Sequence, residues 1–514
     1  MRLVARLVCG LLVAFAVAAP AAALGAGGPV GLIREIPLHG NAGGIAAGPE
    51  GNLWFTQNLP ARSVAIGRIT PQGKVTRFRQ GLSSGTQPSK ITAGPDGNLW
   101  FTYDGGIRSM TGGGIGRITP AGQITLFPEP PDLHGVPFEI VAGPDGNLWF
   151  NHAAILTPTG QAIGRITPSG EITEFSAGLR ESAAVGNLTP GPGGVWFADE
   201  SPTPSIGRIT SSGEITEFPG LRPHEFPIVY GPTPGPEGNL WFSDNEHKPA
   251  LIERITPDGT IERFGTGIDP RAEYAGPFAV GSDGNVWFRL EKRRLAGSPN
   301  PEVSSTAIGR ITPSGKITEF NDCLRPMPDY AGPNFLTLGP DGNVWFTTWP
   351  SGESAHPSRA STPSIGRITP SGKITEFRLG LYPSSSPEEM VSGGGRLWFI
   401  DRETNAIGTI APPRKTPNTF LVLGSEPLPG ATGGRLRLAI PGPGKLTVSG
   451  AGLRPLETHA PACRARAAIT LIPDPRLRRT LASGHSRHLS VRITYKPDGG
   501  SPFTQRVKVT LRAR

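Results

Sequence analysis

Three cysteines in 514 residues exclude a disulfide-stapled scaffold, which needs bridges at close intervals. Cys9 lies in an N-terminal apolar run. Cys323 and Cys463 remain, and a bridge between two parts of the chain and two separate thiols both stay open. After residue 23 no apolar run approaches the roughly 20 residues that a membrane-spanning helix needs, so the mature chain is expected to have no transmembrane segment. The sequence also lacks an H-E-x-x-H motif and a phosphate-cradling glycine loop. Basic residues are not interleaved with aromatics. Towards the C-terminus only Phe420, Tyr495 and Phe503 offer aromatic faces, which argues against nucleic acid as a partner.

Glycine and proline are abundant, at 71 and 56 residues, and they fall in a repeating pattern. Its clearest copy runs from Val141 to Phe175: a short strand, the turn GPDG, the strand NLWF, a variable loop, then IGRITPSGEITEF. A Trp-Phe pair returns at Trp54, Trp100, Trp149, Trp196, Trp241, Trp287, Trp345 and Trp398, at spacings from 45 to 58 residues. That period, with turn residues at fixed offsets, signals a repeat architecture. Pro144, Asp145 and Gly146, and again Pro168, Ser169 and Gly170, supply tight-hairpin chemistry, so each copy reads as four short strands. In ITEF the alternation places Ile172 towards a core, with Thr173 and Glu174 facing solvent or a blade edge. A lone four-stranded sheet leaves both faces wet, so copies must stack with the tryptophans between them. The circular solution is a β-propeller.

Outer strands begin at Ile33, Val75, Ile124, Ile172, Ile215, Ile261, Ile317 and Ile374, as many as there are Trp-Phe units. The last unit, Met390 to Ala411, has no outer strand after it. Ile33 to Ile36 (IREI) is therefore expected to pair with Ile407 to Ile410 and close an eight-bladed, all-β propeller over residues 30–411, which removes two open sheet edges. Ahead of it, Arg2 and Arg6, the apolar run Leu7 to Ala19 and the small residues Ala21 to Ala23 read as a signal peptide over residues 1–23. The protein is thus expected to be secreted or extracytoplasmic. Residues 412–418 form a proline-rich linker. Residues 419–514 read as a basic, β-sandwich-like domain built on GRLRLAI, KLTVSG, AAITLI, HLSVRITY and QRVKVTLRAR. From Pro412 onwards there are 18 Lys+Arg against 4 Asp+Glu. The propeller is left acidic, at about −7. Two readings of the basic part stand, a holder of an anionic cell-envelope polymer and a solvated β-domain.

GPDGNLWFT followed by IGRITPSGKITEF resembles the virginiamycin B lyase (streptogramin lyase) family over about Ile33 to Ala411. Known members have seven blades, against eight counted here. The resemblance implies a carbon-oxygen lyase that opens a cyclic ester by elimination, with a histidine as general base and two acids binding magnesium. These sit in a pattern like ExHGI, then GPDG, then LWFxE. No blade recovers the set. The histidine slot holds Gly43, Ser89, Phe138, Tyr230, Gly276, Asn334 and Pro387, and the first acid slot Asn41, Gln87, Val136, Ile228, Tyr274, Gly332 and Ser385. The second acid slot carries Asp199, Asp244 and Asp401, and elsewhere Gln57, Tyr103, His152, Leu290 and Thr348.

The propeller histidines, His39, His134, His152, His224, His247 and His356, all fall in stretches read as variable loops of one face, where binding function is expected. Blades three to five bring His134, His152, Asp199, Glu200, His224, Glu225, Asp244, Glu246 and His247 to adjacent sectors. Imidazole and carboxylate there suit a divalent cation; solvated loop residues are the other reading. The candidate site is His224 and His247 as catalytic groups, His134, His152, Glu225 and Glu246 as ligand-binding groups, and Asp199 and Asp244 as metal ligands, with magnesium as the cofactor the resemblance implies. Three function classes stay open. They are a binding propeller that takes a glycan, peptide or small molecule on the loop face, an active lyase, and a structural envelope protein.

Overall fold

In a computed structural model of the chain, the turn GPDG shows why the repeat keeps its spelling. Gly146 takes a left-handed φ of 79°. Asp145 accepts from the backbone N–H of Asn147 at 3.2 Å, from the Asn147 amide at 2.8 Å and from the Trp149 indole at 3.1 Å. The aspartate thus fixes both the turn and the orientation of the tryptophan four residues on. Where the turn reads PEG instead, the indole N–H groups of Trp54 and Trp241 find no acceptor among the described residues.

The structure describes residues 30–511 except 83–84, 106–112, 130–135, 153–161, 181–182, 224–228, 244–246, 293–304, 321–332, 349–362, 383, 428–433, 461–465 and 484. The expected signal peptide, all three cysteines and His356 lie outside the described residues.

The protein is an all-β molecule with a β-propeller in its N-terminal part. Eight four-stranded antiparallel sheets occur between residues 34 and 410. The third is typical: Pro137–Ala142, Leu148–His152, Ile163–Ile166 and Ile172–Phe175, paired in that order. Neighbouring innermost strands touch one another from Asn41–Ala47 round to Pro387–Gly393 and back to the first. Each tryptophan is the wedge between one sheet and the next. Trp149 packs with Val195 and Phe197 of the fourth sheet, and Trp398 of the eighth packs with Leu53 and Phe55 of the first. Within its own sheet Trp149 lies against Phe175, ring centroids 5.6 Å apart. Such a pair adds about 0.5–1.5 kcal/mol beyond its buried area.

An arginine completes the wedge in each of the first six sheets. Arg165 lies over both Trp149 and Phe175 and donates at 2.8 Å to the carbonyl of Ser211, in the outer hairpin turn of the next sheet. Arg68, Arg117, Arg208, Arg254 and Arg310 make the corresponding bond to Pro120, Pro168, Pro257, Pro313 and Pro370. The glycine before Arg165 leaves no room for a side chain. A Cβ on Gly164 would lie 2.1 Å from the ring of Phe150.

Arg34–Pro37 closes the eighth sheet by pairing with Ala406–Thr409 in the expected register, Ile36 opposite Ile407, but the paired span begins one residue later than expected. The reason is Ile33, which is drawn into the cluster around Trp345 and Phe377 and donates its backbone N–H to Leu379 at 3.0 Å.

After residue 411 the described strands form a three-stranded sheet, Leu421–Pro427, Gly434–Ala439 and Arg466–Leu471, and a four-stranded sheet, Leu456–Ala460, Gly444–Gly450, Arg487–Pro497 and Phe503–Leu511. Their inner faces share one core that includes Phe420, Leu436, Leu446, Ile469, Ile493 and Tyr495. The sequence reading lacked one element, the helix Pro475–Ala482. Asp474 caps it by accepting from the N–H groups of Arg476 and Leu477, with proline at its first position. The proline-rich stretch is anchored at its end: Asn418 accepts from the N–H of Val30 at 2.8 Å and donates to the carbonyl of Ser501 at 3.1 Å.

Candidate functional site

Side chains alternate across a strand, so Leu148, Phe150 and His152 point the same way. Cross-strand register puts Gly164 beside Phe150 and Glu174 beside Gly164. His152 and Glu174 therefore share the sheet face that packs on the second sheet, where Trp100 sits with Leu148 and Phe150. Glu174 was expected to face solvent or an edge. It turns inward because Thr173 and Phe175 take the opposite face, where Phe175 stacks on Trp149.

Across that interface comes Glu129, the residue after the outer strand Ile124–Pro128 of the second sheet. His152 Nε2 is 2.9 Å from Glu129 Oε1 and 3.4 Å from Glu174 Oε1. Its Nδ1 lies 3.3 Å from the carbonyl of Ala162. The imidazole is only 6% exposed and the Glu129 side chain 3%. Burial alone would push the His152 pKa down, but the hydrogen bond and charge of Glu129, the charge of Glu174 and the Ala162 carbonyl together hold it above the ordinary value. Nearby Tyr103 is pushed up to about 12 by burial and by the charge of Glu129. Three donor atoms from two sheets thus converge within 4.8 Å of one another.

The corresponding outer-strand position is also paired in other sheets. Arg77 donates to Gln57 at 2.8 Å, Glu217 accepts from Ser205 and pairs with Arg180, Arg263 pairs with Glu253, and Lys292 stands between Asp269 and Glu319. In the eighth sheet the position is Glu35. It accepts from Ser385 at 2.8 Å and has the Asp401 carboxylate for a neighbour. Burial first, and then Asp401, push the Glu35 carboxyl up to about 8.

His152 closes a strand, not a loop as its sequence position suggested, because Leu148–His152 runs two residues beyond Phe150. Asp199 is wholly buried. It accepts from the N–H groups of Ala184 and Ser201 at 2.8 and 3.0 Å and from the Ser201 hydroxyl at 3.1 Å. Asp401 does the same for the N–H groups of Ser386 and Thr404. These two aspartates hold the entry to their innermost strands; both oxygens of Asp199 are engaged, as is Oδ1 of Asp401. Asp199 is thus engaged in capping, and Asp244, the other expected magnesium ligand, lies outside the described residues. His247 is described and half-buried; His134, His224, Glu225, Asp244 and Glu246 lie outside the described residues. Glu129 and Glu174 were missed, although extending the period-two pattern from Leu148 through Phe150 points to His152's face. The spelling G-x-S-x-G at Gly81 to Gly85 joins the strands Val75–Phe78 and Gln87–Ala93. Strands flank it on both sides, whereas a nucleophile elbow leads from a strand into a helix; Ser83 itself lies outside the described residues.

A model of the virginiamycin B lyase family matches residues 22–298 and 301–420. The chain belongs to the virginiamycin B lyase family. Among solved structures it is similar to a streptogramin B lyase, at 22% identity and a TM-score of 0.42, over 73% of this chain and 96% of that one. It is also similar to virginiamycin B lyase from Staphylococcus aureus, at 24% identity and a TM-score of 0.42, over 73% of this chain and 98% of that one. No curated protein matches the chain. In this virginiamycin B lyase family member, Glu129, His152 and Glu174 form a polar cluster between the second and third sheets.

Proposed function

We propose that this chain is an extracytoplasmic, eight-bladed propeller that binds a ligand at the loop-face mouth of its channel and does not open cyclic esters at an appreciable rate. The observation that carries the reading is Phe138. It stands on an innermost strand where the resemblance puts the general base, and it is 47% exposed. An aromatic face there can stack on a sugar, a peptide side chain or an aromatic small molecule, but it takes no proton. Tyr274, in the first acid slot of the sixth blade, and Phe335 in the seventh are exposed on innermost strands too. Lys248 lies 4.5 Å over the Tyr274 ring.

Polar groups line the same mouth. Lys90 of the second blade pairs with Glu389 of the eighth at 3.3 Å. Glu139 accepts from the N–H of Leu188 at 3.0 Å, and burial raises its pKa. Glu200 is raised by burial and by the charge of Glu139. A few placed polar groups among aromatics suit ligand recognition.

The signal peptide of residues 1–23 would deliver the protein outside the cytoplasm, and residues 419–514 would add an anion-holding domain. Supporting the latter, Arg492 stands opposite Arg506, and Lys508 is exposed on the same strand. Like charges paired across a sheet repel unless an anion lies over them. Among the described residues no helix is long and apolar enough to cross a membrane.

The test is a streptogramin B linearisation assay with magnesium, run beside a family enzyme that has the full set. Losing the general base alone should slow turnover by a factor of about 10²–10⁴. Ring opening at the reference rate, abolished by His247→Ala or His224→Ala, overturns the proposal. Saturable binding of a glycan or peptide that Phe138→Ala abolishes, with no turnover, supports it.

A further inference from the structure

We propose that Glu129, His152 and Glu174 form a binding site for one divalent transition-metal ion of the zinc class, which clips the second blade to the third. This inference is independent of the ligand-binding reading, since the three side chains lie between blades and not at the channel mouth.

Three features support it. The first is spacing. Donors about 2.0–2.2 Å from a tetrahedral ion lie roughly 3.3 Å apart. Here the Nε2 separations are 2.9 and 3.4 Å, and all three donor atoms lie within 4.8 Å of one another. Shifts of a few tenths of an ångström at Glu129, and a closer approach of the two carboxylates, would seat an ion.

The second is orientation. Nδ1 faces the carbonyl of Ala162, which can only accept a hydrogen bond, so Nδ1 carries a proton. In the neutral ring, Nε2 then directs its lone pair at two carboxylates. A carbonyl behind the ring is the usual outer partner of a metal-bound histidine.

The third is charge. Two carboxylates with neutral imidazole carry −2 in a buried interface, and with imidazolium still −1. A divalent cation brings the group to zero. One imidazole with two carboxylates suits zinc or manganese better than magnesium or calcium, which take oxygen ligands. The cation would compete with the proton on Nε2. No metal chemistry is implied; the role is to join the exit of one blade to the second and outer strands of the next.

The experiment uses the untagged full chain, stripped with a chelator and dialysed. Zn²⁺, Mn²⁺ and Mg²⁺ are titrated separately in a calorimeter, and the melting temperature is followed with and without each ion. The expected result is one Zn²⁺ per chain at micromolar or tighter affinity, with a higher melting temperature that chelator reverses, and Mg²⁺ binding far more weakly. Removing a ligand should cost at least the 10–100-fold typical of losing an outer-shell partner. This should hold for Glu174→Gln, a near-isosteric change in a half-buried side chain, and for His152→Gln. A double variant, His459→Gln with His485→Gln, removes exposed histidines of the C-terminal part and should bind as the parent does. X-ray absorption of the zinc form should show one nitrogen-bearing imidazole and oxygen ligands. No zinc binding by the folded parent, or binding unchanged in Glu174→Gln and His152→Gln, overturns the proposal.

Discussion

The third and eighth blades place a carboxylate at the same point of the same strand and meet its needs in opposite ways. In the third, Glu174 finds an imidazole that a second carboxylate, Glu129, also engages. In the eighth, Glu35 finds another carboxylate, Asp401, and one hydroxyl. One group holds a positive charge in place; the other holds a proton. The repeat therefore specifies where a polar side chain must be satisfied and leaves the partner free. That freedom is what permits a repeated fold to vary its chemistry without altering its packing.

The largest effect should come from the origin of the two blades. The third is continuous in sequence, while the eighth takes its fourth strand from Arg34–Pro37. Deleting residues 1–37 should expose the edge of Ala406–Ile410 and abolish a single cooperative melting transition in calorimetry. A cooperative transition retained within a few degrees would show that closure contributes little.

Next is His152→Leu, which leaves Glu129 and Glu174 facing each other without a cation. Removing one partner of a buried ionic group typically costs about 3–5 kcal/mol, to be read from urea unfolding at neutral pH. Adding Glu129→Gln to the same chain should recover part of that loss. A cost below about 1 kcal/mol would mean that the cluster is far better hydrated than its burial indicates.

The smallest effect belongs to Glu35→Gln. The folded-state pKa of Glu35 is raised to about 8 from an ordinary 4.5, so between those values the folded chain keeps a proton that the unfolded chain has released. Its contribution to stability is complete below about 4.5 and falls as pH rises towards 8. Other groups facing it are Ser385, Asp401 and the backbone of Tyr382. Glutamine can accept from Ser385 and donate to Asp401 at every pH. The variant should match the parent near pH 5 and melt higher than the parent at pH 9. Parallel melting curves across that range would show that Glu35 does not hold the proton.

The contrast also explains what the sequence revealed. Trp spacing, hairpin spelling and the count of outer strands made the ring and its closing strand legible, because each is repeated many times. The register of closure was legible, but its span was placed one residue early, since four-residue IREI cannot show that Ile33 is claimed by the neighbouring blade's core. Glu174 was misplaced because a four-residue alternation gives the face but not what covers it. Glu129 was invisible for a different reason. It is 23 residues from His152 and belongs to another blade, so no spacing rule links them. Asp199 was legible as a slot, yet its capping of the N–H groups of Ala184 and Ser201 could be seen only with the loop in place.

The arginine that spans six of the joints between blades has a consequence for how such a ring can grow. From Arg68 to Arg310 each one reads the same aromatic pair behind it and the same kind of carbonyl ahead. The seam departs from this: Thr409 stands at the arginine's position, Arg396 lies over Trp398 instead, and Arg34 reaches across to the carbonyl of Gln72 at 2.9 Å. A duplicated copy inserted among the first six joints would arrive with both halves of its joint already written, and would enlarge the circle without new interface residues. Blade number is thus an open variable in this design, and the two joints that flank the split eighth blade have parts of their own, since Arg367 bonds Asp341 at 3.3 Å and not a carbonyl ahead.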